Sequence, residues 1–163
     1  MTVIIHPTAR ISKFVDIEDS TRGTRIIIGP NVTIDSFVKI KPVGGMGDIV
    51  IEDGCYINSG CVIYSGNGVR IGKNVLVAAN VTLAPTNHNY AAADIPIIRQ
   101  GFMPSKNGIV IGDDVWIGAN TVILDGANIG NGCVVGAASL VRSTLEPQTL
   151  YAGNPIKLLR RRL

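Results

Sequence analysis

Isoleucine, valine or leucine recurs every sixth residue along most of this 163-residue chain. The series runs Ile5, Ile11, Ile17; Ile28, Ile34, Ile40; Ile51, Ile57, Ile63; Ile71, Val77, Leu83; Ile111, Ile117, Ile123; and Ile129, Val135, Val141. Two residues before each member sits a second small or apolar residue, from Val3 and Ala9 through Cys133 and Ser139. A spacing of two puts both side chains on the same face of an extended strand. Six residues hold one such strand and one bend, and no helix. The bend falls three residues after each aliphatic position. From the second group onward, Asn, Asp or Gly fills that place in ten of fifteen hexads, for example Asn31, Gly54, Asn80 and Asp114. These residue types enter the left-handed backbone region at least cost.

The breaks in the period give the next level. Extra residues follow the hexads that begin at Ile17, Ile40, Ile63 and Leu83, and they number five, five, two and twenty-two. Each break follows a third hexad, so three hexads make one coil of eighteen residues. Internal repetition of this kind governs the whole fold. The expected architecture is all-β: about six triangular coils stacked into a prism of about 29 Å at the ~4.8 Å inter-strand spacing. Its boundaries are coils over 3–88 and 109–146, a protruding loop over 89–108 and a tail over 147–163, within one domain of 1–163. The tail "YAGNPIKLLRRRL" is expected to cap the last sheet edge, with a short C-terminal helix.

Bulk properties exclude several classes. Hydrophobic residues make up 46% and charged residues 17%, too apolar a mixture for disorder. No run reaches the roughly 18 apolar residues of a membrane span, and the start "MTVIIHPTAR" does not read as a secretion signal. A net charge of +3 is a poor basis for nucleic-acid binding. Three cysteines without a CxxC motif suit a reducing cytoplasm. Cys55, Cys61 and Cys133 all fall on inward positions and read as small buried hydrophobes, not nucleophiles.

The hexads, with "IVIGDDVWIGANTVILDGANIGNGCVVGAASLV" and "YAGNPIKLLRR", resemble the hexapeptide-repeat acyltransferases, closest to the O-acetyltransferases of sugars and surface polysaccharides. The resemblance implies a left-handed parallel β-helix, a homotrimer with active sites between subunits, and acetyl-CoA as co-substrate without a metal. It also places the family's catalytic histidine at His88, in "APTNHNY", where the longest insertion leaves the prism. A neutral imidazole, with an ordinary pKa of about 6.5, can take the proton of an attacking hydroxyl near neutral pH. Direct transfer to a sugar or glycan, with no acetyl-enzyme, agrees with inert cysteines.

Further assignments follow from the same resemblance. Asn58, in "YINSGC", matches an acceptor-site asparagine; a plain turn residue fits its position equally. Ala119 and Ala137 match backbone contacts to the pantetheine arm, and Lys157 and Arg160 match basic positions that meet the nucleotide phosphates. Arg142 stands where relatives carry a basic contact one residue later. Trp116 points outward beside the expected coenzyme channel, a position that also suits an interface anchor. The loop, with Ile95, Ile97, Ile98, Phe102 and Met103, is expected to pack over a neighbouring subunit and wall the acceptor site, and its Asp94 and Arg99 suit either sugar or solvent. His6 has no assigned role. Alternative readings are N-acetylation of a nucleotide-linked amino sugar and a non-catalytic structural β-helix. Zinc hydration chemistry on the same prism lacks a third ligand, because only His6 and His88 are available.

Overall fold

Most hexads bend at a residue in the left-handed region. In the computed structural model, which describes residues 2–162, all ten Asn, Asp and Gly bend positions have positive φ, from 43° at Gly66 to 87° at Gly126. Phe37 (65°) and Ala138 (56°) occupy the same place in their hexads and adopt it despite a Cβ. Stacking of the coils therefore overrides the local cost of about 1–2 kcal/mol for such residues. Each bend turns the chain onto the next face of a three-sided column.

The strands stack on three faces. Face one holds seven strands, Val3–Ile5, Ile26–Ile28, Ile49–Ile51, Val69–Ile71, Ile109–Ile111, Asn128–Ile129 and Thr144–Leu145. Face two holds Arg10–Ile11, Thr33–Ile34, Tyr56–Ile57, Leu76–Val77, Trp116–Ile117, Val134–Val135 and Thr149–Ala152, then the added strand Lys157–Arg161. Face three holds six, from Asp16–Ile17 to Leu140–Val141. All pairs are parallel except the last. The aliphatic positions align across coils; Ile28, Ile51, Ile71, Ile111, Ile129 and Leu145 form one such ladder. From the second coil onward all the inward positions are buried. The two polar ones, Thr121 and Ser139, both donate to the Gly136 carbonyl, at 3.3 and 2.6 Å, so neither hydroxyl is left unpaired.

The C-terminal end departs from expectation. A seventh, partial coil follows the sixth, through Thr144–Leu145 and Thr149–Ala152. The tail then forms no helix. Lys157–Arg161 returns as an antiparallel strand on Thr149–Ala152. The reason is the open sheet edge: a strand satisfies its unpaired backbone groups, whereas a helix would leave them bare. Met1 and Leu163, the outermost residues of the expected unit, lie outside the described residues.

Because the core is one continuous stack, a central inward residue should be expensive to truncate. Ile57→Ala is expected to cost about 2–5 kcal/mol in urea unfolding. The exposed Lys39→Ala on the outer side of face three should stay within about 0.5 kcal/mol of the parent.

Candidate functional site

All four breaks in the repeat leave from the edge between faces three and one, and they stack on one another. The second contains "GGMG" for a steric reason. A side chain on Gly45 would collide with the Gly66 carbonyl, and one on Gly47 with the Gly68 backbone. This close approach lets Gly47 N donate to Gly66 O at 3.0 Å and Gly66 N to Val43 O at 2.9 Å.

The long insertion is itself a hairpin. The fourth coil's strand on face three ends at Ala84. Met103 N then donates to Asn87 O (2.8 Å) and Asn89 N to Gly101 O (2.9 Å), which pairs His88 with Phe102 in antiparallel register. Gln100 ties the tip, accepting from Ala92 N at 3.1 Å and donating to the Ala92 and Ile95 carbonyls at 2.8 and 2.6 Å. A single 3-10 turn, Ile97–Arg99, completes it. Ile95, Ile97, Ile98 and Tyr90 remain exposed.

Where the hairpin rejoins the prism stands Asp125, a residue that the repeat pattern does not single out. Its side chain is only 3% exposed. The carboxylate accepts from Lys106 N and Gly108 N, both at 2.9 Å, and from Asn67 Nδ2 at 3.1 Å. Three donors satisfy the buried acceptor and fix the return of the chain. Its signal in the sequence is faint: an Asp at a corner where other coils carry Asp19, Pro42, Ser65, Pro85 and Ser143.

His88 lies at the mouth of a cavity of about 350 Å³ beneath this hairpin, with Val43, Tyr64, Pro85, Thr86 and Phe102 among its walls. The imidazole is exposed and sits 4.7 Å from the Phe102 ring, tilted by 44°. Among the described residues no side chain hydrogen-bonds to it, so both ring nitrogens are available to an incoming molecule. The walls combine aromatic and aliphatic surface with few polar groups, the usual make-up of a small-molecule site.

The other candidates lie elsewhere on the same protomer. Asn58 is on the edge between faces two and three, and its Oδ1 accepts from Ser59 N at 2.8 Å. Ala119 and Ala137 stack on that same edge, where Ala138 N donates to Ala119 O at 2.8 Å. Close stacking there excludes a side chain at Gly118, whose Cβ would stand 2.5 Å from Ala137 N. Trp116 is 50% exposed on the outer side of face two. It lines a second cavity of about 430 Å³ with Val134, Leu150 and Arg160, the residues that follow it across the sheet. Lys157 is exposed opposite Ala152 at the start of the added strand. Arg142 stands on the His88 edge, two coils further on, in a cleft of about 440 Å³ that also holds Lys106. His6 is exposed near the prism's first strand, its Nδ1 2.9 Å from Thr8 Oγ1. In the tail, Arg162 ties the added strand down, donating to Gly132 O at 2.8 Å and pairing with Asp114 at 3.2 Å.

All three cysteines are buried. The Cys55 thiol is pushed up to about 11 by desolvation and donates to Gly72 O at 2.9 Å. Burial also raises Cys61 and Cys133. Among the described residues there is no group of three or more His, Cys, Asp or Glu that could hold a metal ion.

Two family models match the chain, bacterial transferase hexapeptide (six repeats) over residues 108–143 and hexapeptide repeat of succinyl-transferase over residues 48–85. A protein of Escherichia coli K12 named as a lipopolysaccharide biosynthesis O-acetyl transferase is 45% identical over 56 residues, 34% of this chain and 29% of that protein. The matched segments span 24% to 36% of the curated relatives' own lengths. Among solved structures, a variant of the N-acyltransferase AntD from Bacillus cereus, in complex with dTDP-4-amino-4,6-dideoxyglucose and coenzyme A, superposes with a TM-score of 0.81 at 23% identity, covering 99% of this chain and 84% of that one. A hexapeptide-repeat acetyltransferase from Vibrio cholerae, also solved with acetyl coenzyme A, gives a TM-score of 0.58 at 25% identity, covering 94% and 70%.

Two outcomes test this geometry. Asp125→Ala leaves the Lys106 and Gly108 amides without their acceptor, at about 1–3 kcal/mol. Hydrogen exchange is expected to show loss of protection at Gly108 while central strands stay protected. Ellman's reagent should find no reactive thiol in the native protein and three after unfolding, since burial holds all three cysteines protonated and covered.

Proposed function

Because the chain belongs to the hexapeptide-repeat transferases and has their left-handed parallel β-helix fold, we propose that it transfers an acetyl group from acetyl-CoA to a hydroxyl of a sugar or glycan. The observation that carries this reading is His88, an exposed imidazole at the mouth of an aromatic-walled cavity, on the edge where the insertions gather. The similarity to a protein named for lipopolysaccharide O-acetylation supports the acceptor class.

In this reading the acceptor ring rests against Phe102 and Tyr64 with one hydroxyl aimed at the imidazole. The hydroxyl oxygen attacks the thioester carbonyl, His88 takes its proton, and the thiol of coenzyme A departs. No covalent enzyme intermediate enters, consistent with cysteines that are buried and protonated. Arg142 and Lys106 offer two cations on the same edge for the phosphates of the coenzyme. Lys157 and Arg160 would serve the same end from the added strand, with Trp116 alongside.

Asn58, Ala119 and Ala137 stand on a different edge from His88. They join one active site if a neighbouring copy presents its edge between faces two and three to the cleft. A trimer supplies that arrangement three times, and the exposed apolar hairpin tip would then pack on the neighbour. An amine acceptor would use the same base, so the linkage in the product separates O- from N-acetylation.

His88→Ala is expected to lower acetyl transfer to a responsive sugar by about 10²–10⁴-fold, measured as coenzyme A release. Calorimetry should find acetyl-CoA binding little changed. Near-parental turnover in a folded variant would remove the general-base assignment.

A further inference from the structure

The walls of the cavity at His88 restrict which part of an acceptor can enter it. Besides His88 and Phe102 they are Val43, Gly44, Tyr64, Ala84, Pro85 and Thr86, and among the described residues no Asp, Glu, Lys or Arg lines the space. The polar groups on these walls are largely turned on one another. Thr86 Oγ1 donates to Gly44 O at 3.2 Å and is sunk against the second and third insertions, where a Cβ on Gly44 or Gly66 would meet it. Val43 O accepts from Gly66 N at 2.9 Å and from Ser65 Oγ at 3.3 Å. Pro85 has no N–H to offer, and its carbonyl accepts from Asn67 N at 3.1 Å. Two polar side chains on the wall make no hydrogen bond among the described residues, Tyr64 and His88.

On the reading of His88 as the base for sugar acetylation, on which this rests, we propose that the acceptor is a 6-deoxyhexose whose C6 methyl group fills the cavity against Val43, Ala84 and Pro85. The ring lies at the mouth on Phe102. The reacting hydroxyl takes His88, and one further oxygen can take Tyr64.

An ordinary hexose carries a hydroxymethyl group where the 6-deoxy sugar carries a methyl. That group would bring a third oxygen down to Val43, Ala84 and Pro85. Their side chains are aliphatic, and the Val43 and Pro85 carbonyls are already engaged. The oxygen would leave water and gain no partner, which is unfavourable for any polar group. A methyl group in the same place leaves water with a gain.

The C6 position carries the difference because it is the carbon that projects from a hexopyranose ring. Loss of a ring hydroxyl instead would leave no atom to fill the space. An acetamido substituent also projects a methyl group, but it brings an N–H and a C=O that both need partners. The other hydroxyls of the sugar stay at the mouth, in water or against the neighbouring copy.

Coenzyme A release is to be followed with matched pairs of methyl glycosides that differ only in methyl or hydroxymethyl at C6, in the gluco, galacto and manno series. Within the pairs that react, the 6-deoxy member is expected to have the higher kcat/KM by about 10- to 100-fold, the discrimination that an apolar pocket exerts against an added hydroxyl. Equal or reversed values would overturn the methyl assignment and leave sugar O-acetylation standing. Silence with every sugar, 6-deoxy and parent alike, would remove both. Val43→Thr sets a hydroxyl on the wall with little change of shape, and Ala84→Ser sets one nearby should the first variant not fold. In either variant the hydroxymethyl sugar should gain and the preference should shrink several-fold. An unchanged preference in a folded variant puts C6 somewhere else and refutes the proposal.

Discussion

Everything in this molecule depends on one backbone constraint: a chain that must turn every six residues without a helix. Most of the turns use a left-handed residue, and each strand is too short to hold itself. A two- or three-residue strand gains stability only through the coils above and below it. The inward ladder and the bend are therefore a single device. The bend brings the aliphatic side chain to the axis, and packing along the axis holds the bend. Phe37 and Ala138 illustrate the coupling, because their own preferences oppose the φ values they adopt. Their neighbours in the stack decide.

That coupling explains what is legible in the sequence. The inward positions repeat with one chemistry and one spacing, so strands, faces and core can be read residue by residue. The turn residues are legible for the same reason. Features outside the repeat are not. The pairing of His88 with Phe102 spans fourteen residues of irregular sequence, and nothing periodic announces it. Asp125 has meaning only beside the amides of Lys106 and Gly108, which the folded hairpin brings to it. The tail "KLLRR" suggests a helix by itself, yet the unpaired edge of Thr149–Ala152 makes it a strand. Tertiary demand overrides local preference most easily in short segments of this kind.

A prism also limits where chemistry can sit. Its faces are narrow and flat, its interior is filled, and only its corners project. Insertions at one edge supply the missing relief, and four of them stacked together make a place where a side chain such as His88 gains walls on several sides. The glycines of "GGMG" belong to that architecture, since they let one insertion lie directly on the next. Residues on other edges, Asn58, Ala119 and Ala137 among them, face away from this cleft. The sequence resemblance leads one to expect them beside His88, whereas the geometry of a single protomer separates them. A convex column brings distant edges together only by association.

A stack of coils has no natural end: each added rung pairs the one before it and exposes the next. This chain resolves the problem at one end by reversing direction, because an antiparallel strand offers its far side to solvent with charged residues such as Arg160 and Arg161 along it. Charge on an edge strand discourages further pairing. The first coil's strand on face one carries Val3, Ile4 and Ile5. One end of the stack is thus closed by a strand that runs against it.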